Sequence, residues 1–373
     1  MKIFLKNIFI LSIICGIANV ASATIIDPQI IEKTKQASVI IKTNTSIAPY
    51  TTTGLKQGTG FINDINKGFI VTNFHMTTYE GIGKYFITFH TGEQAEAKLL
   101  FYSLWQDFAI LQVDHKKIPP TSHELRFTDK PVKNGDTVFI VGNNEAYGFS
   151  FHDGHISDKY LITGMMPQQS YVINLNSTGG SSGSPVVNES GEVIALNYAG
   201  GQASGIGLKG RYVQDAIDAL HKSQIPSQRH IGTVTRLYPL DEAVKHKKFP
   251  SQIMKEYITK WPDTRGRTII IERTLAGSSA EKHLKAGDII WSANGKEIGA
   301  SLYIFDNIMN NAMGDVDLEI YRFGQKIKLK IPTCDVHKNK ITQLVSFGGA
   351  IFFKANDIVS MVTGIPIGRL AII

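Results

Sequence analysis

The stretch Gly180 to Asn197, GSSGSPVVNESGEVIALN, sets a glycine- and serine-rich segment ahead of a short apolar run, Val193-Ile194-Ala195-Leu196. Four apolar residues bounded by turn formers, β-branched in part, read as a strand. The same signature recurs upstream in Val39-Ile40-Ile41, Gly60-Phe61-Ile62, Phe69-Ile70-Val71, Phe86-Ile87-Thr88-Phe89, Ala109-Ile110-Leu111, Val138-Phe139-Ile140-Val141 and Tyr171-Val172-Ile173. Brief strands recurring without long helices predict a sandwich or barrel from Ser38 to about Ile206, and a mainly β fold class.

Around this block the chain divides further. A helix-like stretch covers Asp27 to Ala37, and Arg211 to Lys222 places Val213, Ile217 and Leu220 at helical spacing. The segment Gln224-Ile225-Pro226-Ser227-Gln228 then reads as a linker with a helix-stopping proline. Beyond it, strands at Thr268 to Glu272, Asp288 to Ser292, Leu318 to Arg322 and Lys326 to Ile331 alternate with two short helical stretches, and Asn294-Gly295 signals a tight hairpin. The expected units are 1–23, 24–222, 223–229, 230–333 and 334–373. Lys2 and Lys6, the apolar run Ile8 to Ile14 and the small residues Ala21-Ser22-Ala23 make the first unit a signal peptide, so the chain is expected to be periplasmic or secreted. In the last unit Lys354, Asp357 and Arg369 interrupt the apolar runs, and no stable membrane insertion is expected after signal cleavage.

Composition narrows the function classes. With 373 residues, 43% hydrophobic and 19% charged, the chain is neither disordered nor multi-spanning, and it holds two or three domains. The net charge of +7 is modest, and clusters such as Lys245-His246-Lys247-Lys248 read as solvated faces, so no nucleic-acid partner is expected. Once Cys15 leaves with the signal, Cys334 has no intramolecular partner and cannot alone build a metal site. Gly205 to Gly210 has dinucleotide-fingerprint spacing but lacks the parallel strand–helix context, and Asp153-Gly154 between His152 and His155 reads as a hairpin turn. No cofactor and no metal are expected.

Acyl transfer by a serine needs a nucleophile, a base, a carboxylate orienting the base and backbone donors for the oxyanion. Three segments offer these parts: Ile70-Val71-Thr72-Asn73-Phe74-His75, Asp107-Phe108-Ala109-Ile110-Leu111 and Gly180-Ser181-Ser182-Gly183-Ser184-Pro185. In that order, with GTGFI, VFIVGN and GHIS between them, they resemble the trypsin-like serine proteases and within these the HtrA/Deg family. The resemblance implies a double β-barrel protease domain at 24–222, with His75 as general base, Asp107 as orienting carboxylate and Ser182 as nucleophile. The oxyanion hole would be formed by the Gly180 and Ser182 amides with Ser181 between them. It further implies an ATP-independent endopeptidase acting on unfolded or damaged envelope proteins, and a homotrimer or higher oligomer assembled through Thr24 to Pro49. The family usually has Asn where Ser181 stands and Gly where Ser184 stands, so the turn is expected to be less constrained here. Asn176 would floor the specificity pocket, disfavouring cleavage after basic residues, and Leu196-Asn197-Tyr198 would supply the strand edge for an extended substrate.

Residues 230–333 resemble a PDZ domain of the circularly permuted bacterial kind, on Arg229-His230-Ile231-Gly232, Ala276-Gly277-Ser278-Ser279-Ala280, Leu284 to Ile290 and Asn294-Gly295-Lys296. That likeness makes His230, Ile231 and Gly232 a carboxylate-binding loop and Ser301 to Ala312 the helix beside the groove. The pattern prefers Gly at Arg229 and an apolar residue at His230, and Leu237 to Arg267 is longer than usual. The tail, with Phe347-Gly348-Gly349 and Gly364-Ile365-Pro366, looks like a partial second PDZ domain whose strands are left unpaired; an oligomer contact or an early chain end would account for it. A periplasmic holding chaperone or peptide-binding scaffold with little proteolysis is the alternative function.

Overall fold

The computed structural model describes residues 26–45, 54–77, 83–163 and 166–372. The signal peptide at 1–23, with Cys15, lies outside the described residues, as do 24–25 and 46–49 of the stretch expected to aid assembly. A first closed barrel is built from β1 (Ser38–Thr45), β2 (Gly54–Asp64), β3 (Phe69–Thr72), β4 (Gly83–Thr88), β5 (Gln94–Ser103) and β6 (Phe108–Val113), in the order β1-β2-β3-β6-β5-β4. Alternation decides which side faces in: along β5 Ala95 and Ala97 are buried while Glu96 and Lys98 face solvent. Val39, Ile41, Ile62, Ile70, Ile87 and Leu111 fill the interior.

A second closed barrel follows, with β7 (Thr137–Gly142), β8 (Ser150–Thr163), β9 (Met166–Asn174), β10 (Pro185–Asn188), β11 (Val193–Gly200) and β12 (Gly205–Lys209) in the order β10-β11-β12-β9-β8-β7. The expected β block thus forms two closed barrels, 38–113 and 137–209, and the whole is a trypsin-like double barrel. Gly205 to Lys209 is an antiparallel barrel strand. Asp153-Gly154 is not a turn: both residues lie inside β8, where Gly154 pairs with Val138. The glycine is needed there because a Cβ would overlap the carbonyl oxygen of Asn174.

The largest apolar cluster lies between the barrels, where Phe61, Phe108 and Ile110 of the first meet Phe139, Val187 and Leu196 of the second. Two helices cover it. α1 (Pro28–Ala37) starts on Asp27, whose side chain accepts from the Gln29 amide, and α2 (Arg211–His221) buries Val213, Ala216 and Ile217. Each large apolar side chain buried in this seam contributes about 1.5–3 kcal/mol, which holds the two barrels in a fixed relation across the cleft they form.

The second module begins with β13 (Arg229–His230) and β14 (Thr233–Pro239). The long stretch after it forms α3 (Leu240–Lys247) and α4 (Ser251–Lys260), whose Leu240, Phe249 and Tyr257 pack on Ile289 and Tyr321 of the sheet. The sheet is completed by β15 (Arg267–Thr274), β16 (Ile289–Ala293), β17 (Lys296–Glu297), β18 (Asp315–Arg322) and β19 (Gln325–Pro332), with α5 (Leu302–Asn310) against it. Asn294 and Gly295 join β16 to β17 with φ of 47° and 76°, the two positive values that a two-residue hairpin of this kind requires. α5 also touches the barrels: Tyr212 of α2 donates a 2.6 Å hydrogen bond to the buried Asp306, whose carboxyl burial pushes up to about 8.

The tail differs from the unpaired strands expected of it. After β20 (Cys334–Asp335), which pairs with β13, it forms a three-stranded sheet of β21 (Val345–Phe347), β22 (Ala350–Lys354) and β23 (Leu370–Ile372) with α6 (Asp357–Thr363). Phe353, Ala355, Val359 and Ala371 make a small core of its own, while Met361 joins Trp105, Val234 and Leu275 in a cluster shared with both preceding modules.

Candidate active site

His75 follows β3 on a single 3₁₀ turn, Phe74–Met76, at the mouth of the cleft. Asp107 stands in the turn from β5 to β6 at φ 52° and is 1% exposed. Its carboxylate makes two bonds to one residue: Oδ2 lies 2.7 Å from His75 Nδ1, and Oδ1 accepts from the His75 backbone amide at 2.9 Å. A carboxylate at Nδ1 places the proton there and leaves Nε2 as the basic nitrogen. Asn73 closes the arrangement by donating Nδ2–H to the Asp107 carbonyl at 3.0 Å.

Ser182 is half-buried in the loop between β9 and β10. That loop is pressed onto the strands leading to His75. Thr59 of β2 donates its amide to the Ser182 carbonyl at 2.8 Å and its hydroxyl to the Gly180 carbonyl at 2.9 Å. Thr72, three residues before His75, donates its hydroxyl to the Thr59 carbonyl at 2.7 Å. Gly183, at φ 86°, sits against this pair, where a Cβ would overlap the Thr59 carbonyl oxygen and lie 2.5 Å from Thr72 Oγ1. Gly180, at φ 95°, is equally confined by the Asn143 carbonyl. The two glycines bring the backbone carrying Ser182 to the barrel that carries His75 and Asp107. Among the described residues no hydrogen bond joins His75 to Ser182.

The amides of the loop fall into two sets. Those of Ser181, Gly183 and Ser184 donate to the carbonyls of Thr178, Asn197 and Ser181 at 3.1, 2.8 and 3.0 Å. Those of Gly180 and Ser182 have no acceptor among the described residues. The Gly179 carbonyl accepts from the Glu145 amide at 2.8 Å, so the Gly180 N–H on the far edge of the same planar peptide points the other way. Two unspent donors flanking one residue can receive an oxyanion.

Ser181 is more constrained than its departure from the family pattern suggested. It is 2% exposed, and its hydroxyl donates to the Thr178 carbonyl at 2.6 Å. The Asn197 amide group reaches the Ser181 carbonyl at 3.1 Å and hydroxyl at 3.2 Å, and Ser177 Oγ at 2.9 Å. Ser177 Oγ also lies 3.1 Å from Ser181 Oγ. An Asn on β11 and a Ser on the loop together hold Ser181 in place. Ser184, fully buried, fits because its Oγ packs on Gly142, which has no side chain to meet it.

The other expected site residues are distributed as follows. Asn176 is half-buried, and its Oδ1 is shielded from solvent without a hydrogen-bond partner among the described residues. Leu196 and Asn197 are fully buried; the former joins the inter-barrel core, and the latter faces the back of the loop that carries Ser182. Tyr198 is half-buried, with its hydroxyl 3.0 Å from Ser170 Oγ. In the second module His230 is 3% exposed, stacks on Trp105 at 4.3 Å, and places Nε2 3.0 Å from Asp357 Oδ1 of α6. Ile231 is fully buried, and the Gly232 carbonyl accepts from the Leu275 amide at 2.8 Å. His152 meets the Asn144 side chain at 2.9 Å, and Asn144 Oδ1 in turn accepts from the Thr178 amide and hydroxyl. Thr59, Thr72 and Ser177 were not singled out from sequence as site residues, although Thr59 lies within the GTGFI segment.

Residues 58–196 match the family of trypsin-like peptidase domains. Among curated proteins, the pro-apoptotic serine protease NMA111 of Coccidioides immitis is 28% identical over 310 residues, which is 79% of this chain and 29% of that protein. Its counterpart in Debaryomyces hansenii is 27% identical over 327 residues, 84% of this chain and 32% of the relative. The chain thus spans about a third of the length of these fungal relatives. Among solved structures, a Yersinia pestis serine endoprotease superposes with a TM-score of 0.53 at 20% identity, covering 82% of this chain and 97% of that one. The HtrA-type protease AlgW with a bound tripeptide gives 0.59 at 16% identity, covering 82% and 96%. By its barrels and its matched segment the chain carries a trypsin-like peptidase domain, it is similar in sequence to serine proteases, and it shares its fold with the HtrA-type proteases.

Proposed function

We propose that the chain is a serine endopeptidase that hydrolyses peptide bonds of unfolded or damaged polypeptides, with His75, Asp107 and Ser182 as its triad. The observation that carries this reading is the pair of free amides, Gly180 and Ser182, in a loop whose neighbouring amides are bonded and which packs on the strands leading to the His75–Asp107 pair. His75 Nε2 takes the proton of Ser182 Oγ as that oxygen attacks the scissile carbonyl, the two amides receive the oxyanion, and the imidazolium returns the proton to the leaving amine. Water repeats the sequence on the acyl-enzyme. His75 and Ser182 must close to hydrogen-bond distance for this, so substrate binding completes the site. The floor at Asn176 is neutral, which favours small or medium apolar side chains over Lys or Arg at the cleaved position. We assign a periplasmic or secreted setting, the boundaries given above, a regulatory or substrate-binding PDZ-like role for 230–333, and a homotrimer or higher oligomer to the same reading.

The test compares the native chain with Ser182→Ala on an unfolded, fluorescently labelled protein and with an active-site phosphonate. Cleavage and labelling that both disappear in the variant, with unchanged melting, support the assignment. Protection of the unfolded protein from aggregation, with neither cleavage nor labelling in the native chain, overturns it in favour of a holding function.

A further inference from the structure

The cleft between the second barrel and the second module contains a cation without an acid. Lys209 of β12 lines a space of about 240 Å³ with Lys159, Tyr160 and Tyr171 from the barrel and Trp261 and Ile304 from the other side. Its Nζ lies 5.1 Å from the centre of the Tyr303 ring, and among the described residues no carboxylate pairs with it. The charged groups acting on it are Lys159 and Arg211, both cations. Each of these has its own partner: Lys159 meets Asp263 at 2.7 Å, and Arg211 is held by Asp129 and Asp215. Burial first, then the two cations, push the Lys209 ammonium down to about 8, so it still carries its charge at neutral pH. An ammonium withdrawn from water without a counter-ion costs several kcal/mol, and an anion in the cleft would offset that cost.

The lining points the same way: among the described residues it includes Lys159 and Lys209 but no Asp or Glu. The side-chain oxygen of Gln169, which also lines the cleft, is already engaged by the Ser301 hydroxyl at 3.1 Å and the Tyr303 amide at 3.2 Å. The Nε1 of Trp261 is shielded from solvent, so the indole lends the cleft its ring and not its N–H. Val132, Ile298, Ala300 and Ile304 give it apolar sides. One unpaired cation matches a single negative charge, and apolar walls match a compact apolar group beside it.

We propose that this cleft binds a monocarboxylate bearing a compact apolar group, its carboxylate taken by Lys209 Nζ and its apolar part seated against Ile298, Ile304 and the Trp261 ring. A free organic acid and the last residue of a polypeptide share that chemistry. The site is separate from the Ser182 cleft and from the His230–Gly232 loop, and it does not depend on the proteolytic reading.

The test titrates the full chain, followed by calorimetry and tryptophan fluorescence, with 3-phenylpropionate, its amide, and a short apolar peptide ending in phenylalanine as free acid or as amide. The expected result is saturable binding of at least one acid, at least tenfold weaker binding of the matching amide, and a loss of tenfold or more in Lys209→Met. Binding of phenylpropionate alone identifies the occupant as a small acid, and binding of the peptide acid identifies it as a chain end. Equal binding of acid and amide by the native protein, no saturable binding of either acid, or undiminished binding in a folded Lys209→Met overturns the proposal. The acid-against-amide comparison uses native protein only, so it decides the matter even if a variant misfolds.

Discussion

Replacing Asn197 with alanine tests whether the loop is held in shape from behind. Asn197 touches no solvent, and its amide group reaches the Ser181 carbonyl, the Ser181 hydroxyl and Ser177 Oγ at 3.1, 3.2 and 2.9 Å. Truncation leaves these groups buried with fewer partners. At about 1 kcal/mol for each bond lost, and more where an acceptor is orphaned, the variant should lose about 2–4 kcal/mol of stability. The effect on rate has a different origin. The Ser181 carbonyl belongs to the peptide whose N–H is that of Ser182, so losing the Asn197 bond frees one of the two proposed oxyanion donors to rotate. Losing such a donor completely costs about 2.7–4 kcal/mol of transition-state stabilisation, and partial disorder should cost about half of that, or roughly 10- to 30-fold in kcat/KM. The assay is hydrolysis of an unfolded labelled protein together with the rate of phosphonate labelling, at a temperature where the melting curve shows the variant folded. A kcat/KM within twofold of native, despite the expected fall in stability, would show that the network supports only the fold and that the donors are set by the glycines.

Two further outcomes follow from single positions. Gly183→Ala forces a Cβ at φ 86° onto the Thr59 carbonyl and Thr72 hydroxyl, so phosphonate labelling should fall by more than about 100-fold, with about 1–3 kcal/mol of stability lost to strain; near-native labelling would show that the loop relaxes without moving Ser182. Asp306→Asn removes a carboxyl that burial raises to about 8 while keeping an oxygen for the Tyr212 hydroxyl. Because folded Asp306 holds a proton that the unfolded chain releases above pH 4, native stability should fall as pH rises from about 4 to about 8, by up to about 1.4 kcal/mol per pH unit. Urea midpoints across that range should be flatter in the variant, and parallel pH profiles would refute the assignment.

Much of the fold was legible because it rests on local pattern. A barrel strand such as β5 declares its two faces by alternation, and Asn294-Gly295 declares its turn by the backbone angles that only such residues tolerate readily. The Asp153-Gly154 pair has the same local appearance and lies mid-strand, because what selects Gly154 is the Asn174 carbonyl from another strand. The Ser181 turn follows the same rule. Its substitution looked like a loss of constraint when read along the chain, yet Asn197 and Ser177 supply the bonds from residues whose side-chain direction no short window reveals.

His230 carries this reasoning furthest. In sequence it is a polar residue at a loop that suits exposed capture of a carboxylate. Its surroundings are set instead by Trp105 from the first barrel and Asp357 from the tail, which together take both the face and the edge of the ring. Asp357 also accepts from Asn339 at 3.0 Å, so the carboxylate that faces His230 is fixed by a second residue of the tail. A ligand entering at His230 would have to part a stacked aromatic pair and a buried His–Asp contact, and Trp105 lies two residues before Asp107 in the same turn. Met361 of α6 also packs in one cluster with Trp105, so displacing α6 from His230 disturbs the turn whose Asp107 holds His75, which makes the tail a structural support of the His75–Asp107 pair and not an appendage to it.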